Sequence, residues 1–222
     1  MNAMANFGAQ NRTVSRDDYL IRTLSMPAKL GRIAKAYITQ DDQTSPLIYE
    51  PGRFPNPLAL NLYLLGYNQK KQLEITNQAT KQNLSNYLEQ HRSLTDAINL
   101  KDAYVINFGI EFEITTYKDY NNQEVILNCI TELEDYFNID KWQINQPIII
   151  AEIKNTIAGV LGVQTVEDVH FENKNGVVGG YSVYRYDFGS ATKKGVIYPS
   201  LDPSIFELKY PKQDIRGKVT VY

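Results

Sequence analysis

Between residues 104 and 115 the chain alternates with a period of two. Tyr104, Ile106, Phe108, Ile110, Phe112 and Ile114 are large and apolar, while Asn107, Gly109, Glu111, Glu113 and Thr115 between them are small or polar. Successive strand residues point to opposite faces, so this spacing predicts a long strand with one buried and one solvated face. Helical patterns flank it. Thr80, Leu84, Tyr87, Leu88 and His91 share one stripe of a helix predicted from a Thr76 cap to Arg92. After a turn at Asn121-Asn122, Ile126, Cys129, Ile130, Leu133 and Phe137 recur at helical spacing. A loop over residues 140–147 carries Trp142; Ile153, Ile157, Val160 and Leu161 then mark a third helix ended by Gly162, and a strand over 163–171 follows.

Upstream, Ser15 is placed to cap a helix, with Asp18 three residues later as its capping-box partner and Val14 and Tyr19 as a hydrophobic staple. Leu20, Ile21 and Leu24 give its buried face, and Pro27 ends it near Met26. Short strands are predicted at 31–38, 47–50 and 58–66, with a rigid turn at Pro51, Gly52, Pro55 and Pro57 between the last two. Helices and strands mix without the regular alternation of a doubly wound sheet. The expected class is therefore α+β, small mixed sheets with helices packed on one face.

Past residue 172 the pattern changes. Gly176, Gly179 and Gly180 leave no room for a core element, and the stretch that follows is broken too often by proline for helix and is too aromatic for a disordered linker. It is expected to be an extended C-terminal arm, ordered by lying against its own domain or against a neighbouring subunit. Tyr181, Tyr184, Tyr186, Phe188, Tyr198, Leu201, Ile205, Phe206 and Tyr210 are its candidate interface anchors. Three regions result: 1–70, a helix and short strands; 71–172, an α+β core domain; 173–222, the arm.

Composition narrows the function. At 43% hydrophobic and 22% charged the 222 residues can bury a sizeable core, and a net charge of −2 gives no basic field to attract nucleic acid. No apolar run approaches the roughly 20 residues that span a bilayer, and the first residues lack the apolar core of a signal peptide, so a cytoplasmic chain without a membrane partner is expected. Sixteen tyrosines against 8 Phe and 1 Trp suit surfaces that are buried on assembly yet soluble before it.

Candidate chemistry is sparse. Glu111 and Glu113 project from one strand face, as a carboxylate pair for glycoside cleavage would, but a solvated strand face carries glutamates as a matter of course. His91, His170 and Cys129 lie at no ligand spacing, and Cys129 sits on an apolar stripe with no basic neighbour, so neither a metal site nor a nucleophile is expected. The Gly-rich run 173–180 lacks the Gly-Lys-Ser/Thr ending of a phosphate loop. Glu132, Glu134, Asp135 and Asp140 read as a solvated helix face. No catalytic residue, cofactor or small-molecule substrate follows from these residues.

The ordered pieces resemble a known family. Asn11-Arg12-Thr13-Val14-Ser15-Arg16-Asp17-Asp18-Tyr19 followed by Ile33-Ala34-Lys35-Ala36-Tyr37-Ile38 looks like the opening of the baseplate J-like proteins, the wedge subunits of contractile phage tails. Arg92-Ser93-Leu94-Thr95, the alternating strand, Tyr136-Phe137, Trp142, Gln146-Pro147-Ile148 and Gly159-Val160-Leu161-Gly162-Val163 continue the likeness, and the run from Tyr198 to Tyr210 is similar to the C-terminal part of wedge proteins of T-even-type tails. Family members carry more chain before the opening motif, so a C-terminal fragment or a short member is expected. The resemblance implies a structural virion protein that joins copies of itself and other wedge subunits into a ring around the hub and ties wedges together during sheath contraction, assembled in the host cytoplasm. It brings no catalytic residues. A tail-associated cell-wall hydrolase using Glu111 or Glu113, or a sugar-binding tail module, is the alternative.

Overall fold

The computed structural model describes residues 13, 15–40, 59–92, 97–200 and 202–220. The Val14 staple, the strand at 47–50, the turn at 51–57 and Leu201 lie outside the described residues. The chain divides into two compact units, Met1–Ala103 and Tyr104–Tyr222, each mixing helices with a small sheet in an α+β arrangement. The division falls at residue 103, where the pattern predicted breaks near 70 and 172.

In the first unit, α1 (Arg16–Leu24) begins with the expected capping box: Ser15 Oγ accepts from the Asp18 amide and Asp18 Oδ2 accepts from the Ser15 amide at 2.8 Å. β1 (Lys35–Gln40) pairs antiparallel with β2 (Ala59–Tyr67), which turns back into β3 (Leu73–Glu74). α2 (Gln78–Glu89) is capped by Asn77, whose Oδ1 accepts from the Thr80 amide at 2.7 Å; the expected cap Thr76 is instead buried. β4 (Ala97–Asp102) runs parallel to β2. No strand was expected there, because Asn99, Lys101 and Asp102 dilute its apolar positions and all six residues are half-buried. Leu84 and Leu88 of α2 pack with Tyr19, Ile38, Leu62 and Leu64 in one cluster. That burial assigns α2 to the first unit, not to the unit of the Tyr104 strand.

The second unit is built on β5 (Tyr104–Thr116). After α3 (Asn122–Tyr136), β6 (Ile148–Ile149) and α4 (Ile150–Ala158), β7 (Val163–Asn173) pairs antiparallel with β5 through two irregularities of register. α4 ends at Gly159, so Leu161, expected on its buried stripe, is exposed. Then come α5 (Phe188–Ala191), β8 (Thr192–Lys193), β9 (Val196–Ile197), β10 (Ser204–Glu207), α6 (Pro211–Asp214) and β11 (Ile215–Val219). β6, β9 and β8 form a small antiparallel sheet. β10 joins β5 in parallel at Tyr104–Asn107, and β11 does so at Ile110–Ile114.

The last segment is therefore woven into the central sheet and does not run free as an arm. Helices α3 and α4 cover one face, over β11 and β7 respectively. Gly217 is needed under α3: a Cβ there would lie 2.5 Å from the Phe112 ring and 3.0 Å from Ile126. The apolar face of β5 sits in this core, with Phe108 edge-on to Phe137 at 5.1 Å and Phe171, Phe188 and Phe206 around it.

Candidate interaction surface

The strand at the centre has two different halves. From Val105 to Ile110 every residue is buried, whereas from Glu111 to Thr115 half-buried residues alternate with buried ones. The period-two pattern describes only the second half. Asn107, expected on the solvated face, is fully buried and fully engaged. Its Nδ2 donates to Glu207 Oε2 at 2.8 Å, its Oδ1 accepts from the Ser182 amide at 2.7 Å, and its backbone carbonyl accepts from the Lys174 amide and Asn173 Nδ2. A buried amide left unpaired would cost about 1–3 kcal/mol, so these bonds tie β10 and the segment around Ser182 to β5.

Gly109 lies beside this network. A Cβ there would meet Lys174 Cε at 2.8 Å and the Asp214 carbonyl at 2.9 Å, so only glycine admits the crossing chain. Asp214, itself buried, accepts from Tyr181 Oη at 2.6 Å and from the Tyr210 amide at 2.9 Å. Burial and then that carboxylate push the Tyr181 pKa well up, and burial, then Asp202 and Tyr184, raise that of Tyr104.

These contacts sort the nine anchors predicted from sequence. Phe188, Ile205 and Phe206 are buried in this chain's own core, so they are not available to a partner. Tyr181, Tyr186 and Tyr210 are half-buried: Tyr181 and Tyr210 pack edge to face at 5.4 Å, and Tyr186 packs on Phe188 and Phe206 while its hydroxyl donates to the Tyr198 carbonyl. Tyr184 is 37% exposed and leans on Tyr104, and Tyr198 is 50% exposed. Leu201 is outside the described residues. Two of the eight described anchors thus face solvent.

The pattern missed a second exposed group. Val177, Val178 and Val183 stand in solvent, Val178 fully so. Val177 and Val178 sit on a turn held between Gly176 at φ 118° and Gly180 at φ 73°, with Val183 just past it, and its ends are closed by the Gly176 amide on the Ser182 carbonyl and the Tyr181 amide on the Gly176 carbonyl. Valines inside a Gly-rich run with no charge from Gly176 to Tyr184 were the available signal. An exposed apolar tip on a braced turn is a surface suited to contact rather than to catalysis.

The residues considered for chemistry lie elsewhere. Glu111 Oε1 is 3.7 Å from Arg216 and Glu113 Oε1 is 3.8 Å from Lys218, pairs that follow from the β5–β11 register on the solvated half of the sheet. Cys129 is buried on α3, and burial raises its thiol to about 11, so it packs as an apolar group. Among the described residues no group of three or more His, Cys, Asp or Glu could hold a metal, and no helix is long and apolar enough to cross a membrane.

No family model matches the chain, and no curated protein matches it in sequence. Its fold is similar to that of a chain in a solved assembly described as "Cryo-EM structure of the anti-feeding prophage (AFP) baseplate, 6-fold symmetrised", with a TM-score of 0.52 at 15% identity, covering 77% of this chain and 36% of that one. At that identity the likeness is one of fold, and this chain spans little more than a third of its neighbour's length.

Proposed function

We propose that this chain is a structural subunit of a contractile-tail baseplate, a wedge component that assembles around the hub and links wedges while the sheath contracts. The observation that carries the reading is the fold shared with a chain of the anti-feeding prophage baseplate over 77% of the residues. A six-fold assembly repeats the same subunit contacts, which calls for a rigid body with surfaces reserved for neighbours. The second unit has such a body, because its C-terminal segment is bonded into the sheet through Asn107 and Asp214. The resemblance of the opening residues and of the run from Tyr198 to Tyr210 to wedge proteins supports the same role. In this reading the partners are other wedge subunits and copies of the chain, the place is the tail baseplate after assembly in the host cytoplasm, and the chain carries out no chemistry.

Val178, Tyr184 and Tyr198 are the side chains we assign to partner contact, since they are exposed while the backbone that bears them is braced. Deleting the C-terminal segment would not test this, because it would strip β10 and β11 from the core. Val178→Asp, Tyr184→Ala and Tyr198→Ala keep the core intact. Mixed with purified baseplate components, the wild type should co-migrate with them on size exclusion, and the variants should fold normally but elute separately. Failure of the wild type to associate with any component, or release of soluble fragments from cell-wall material by the chain alone, would overturn the reading.

A further inference from the structure

The outer strands of the second unit's sheet carry opposite charge. Among the described residues β7 and β11 each pair with β5 alone, so each presents an unpaired strand edge. β11 holds Arg216 and Lys218 in solvent, their side chains 63% and 68% exposed, and β7 exposes Glu167 and Asp168. Register sharpens the contrast. Lys218, Glu113 and Asp168 form one row across the three strands, so Glu113 has a cation on one side and a second carboxylate directly opposite on the other. Like charges placed opposite each other weaken a strand pair. Asp168 has no cationic partner among the described residues; its Oδ1 accepts only from the neighbouring Val169 amide, at 2.8 Å. The row thus opens on a cation at one edge and closes on uncompensated negative charge at the other.

From this arrangement the geometry points to head-to-tail joining of copies of this chain, β11 of one copy lying along β7 of the next with Lys218 brought to Asp168. β11 is parallel to β5 and β7 antiparallel to it, so a sheet continued from copy to copy sets the two edges antiparallel. A second copy is the occupant because the chain's own edges supply both signs in the same row. An incoming strand displaces the Asp168 carboxylate from the Val169 amide and offers it a stronger, charged donor. The contact is heterologous, so it builds a ring or a filament and not a closed pair. The inference rests on the assembly reading only for the idea that the chain multimerises.

Sedimentation velocity of the full chain over a range of concentrations tests it. The wild type should grow in size with concentration. Lys218→Glu and Asp168→Lys should each weaken self-association by about tenfold, since each turns an attractive pair into a repulsive one. An equimolar mixture of the two should recover wild-type association, because each altered edge then meets its complement. Asp168→Lys also relieves the carboxylate opposite Glu113, so its thermal midpoint should not fall; Lys218→Gln serves in place of the glutamate variant if that one unfolds. A wild type that stays monomeric throughout, reversals that associate like the wild type, or a mixture that stays apart would each overturn the inference. If the reversals are silent while the wild type still binds other baseplate components, the edge is wrong and the assembly reading stands. If copies join through this edge yet bind no such component, the edge stands and the baseplate reading falls.

Discussion

The two halves of β5 obey the same sequence rule and meet different surroundings. Glu111 and Glu113 stand on a solvated face beside Arg216 and Lys218, as a period-two pattern dictates, while Asn107 and Gly109, at the same phase of the same pattern, are buried under chain that arrives about a hundred residues later. Polarity at alternate positions therefore does not distinguish a wet face from a buried hydrogen-bonding one. What distinguishes them is the partner: ion pairs that water can replace in one half, directed bonds that it cannot in the other.

The contrast breaks most severely at Phe206, which is 2% exposed and packs against Phe108, Phe188 and Tyr186. Phe206→Ala should cost about 3–5 kcal/mol in chemical denaturation of the second unit. Next is Asn107→Ala, which removes a donor from the buried Glu207 carboxylate and an acceptor from the Ser182 amide; a loss of about 2–3 kcal/mol is expected by the same measurement. Tyr181→Phe deletes one hydrogen bond to Asp214 and should cost about 1 kcal/mol at neutral pH.

Tyr181 also sharpens the comparison through pH. Burial, and then the Asp214 carboxylate, raise its pKa; burial and then Glu152 raise that of Tyr136; burial and then Asp187 raise that of Tyr186 to about 12. The folded chain holds these protons more tightly than the unfolded chain, whose tyrosines titrate near 10.0. Their stabilising contribution is whole below pH 10 and is lost as pH rises towards 12. Denaturation midpoints should fall across that window, with a shallower fall in Tyr181→Phe. The smallest effect belongs to the solvated half: Glu111→Gln with Glu113→Gln should change stability by about 0.5 kcal/mol or less. A loss comparable to that of Asn107→Ala would show that the two halves do not differ as described.

Local signals were legible and distant pairings were not. Ser15 and Asp18 form the capping box their spacing announces, and Ile106 to Ile114 form the core face that their alternation announces, because both depend on neighbours a few residues away. β4 and β11 left no comparable trace: Asn99, Lys101, Arg216, Gly217 and Lys218 give edge strands whose polarity suits solvent on one side. Asn77, one residue past the expected cap Thr76, won because its carboxamide reaches the Thr80 amide while Thr76 is buried. The aromatic anchors were expected to need a surface, their own domain's or a neighbouring subunit's. For Phe188, Ile205 and Phe206 that surface is β5 and its helices, a fact fixed by parallel pairings that no local window contains.

Those parallel pairings also set a timetable for synthesis. Tyr104 waits for Ser204, and Asn107 for Glu207, 100 residues away, so at the usual pace of translation the start of the central strand, Tyr104–Asn107, is exposed for about 5–20 s before β10 emerges. The residues of the first unit, by contrast, all precede Tyr104. Slow or interrupted translation should therefore favour aggregation through Val105 and Ile106, which are buried once β10 is in place.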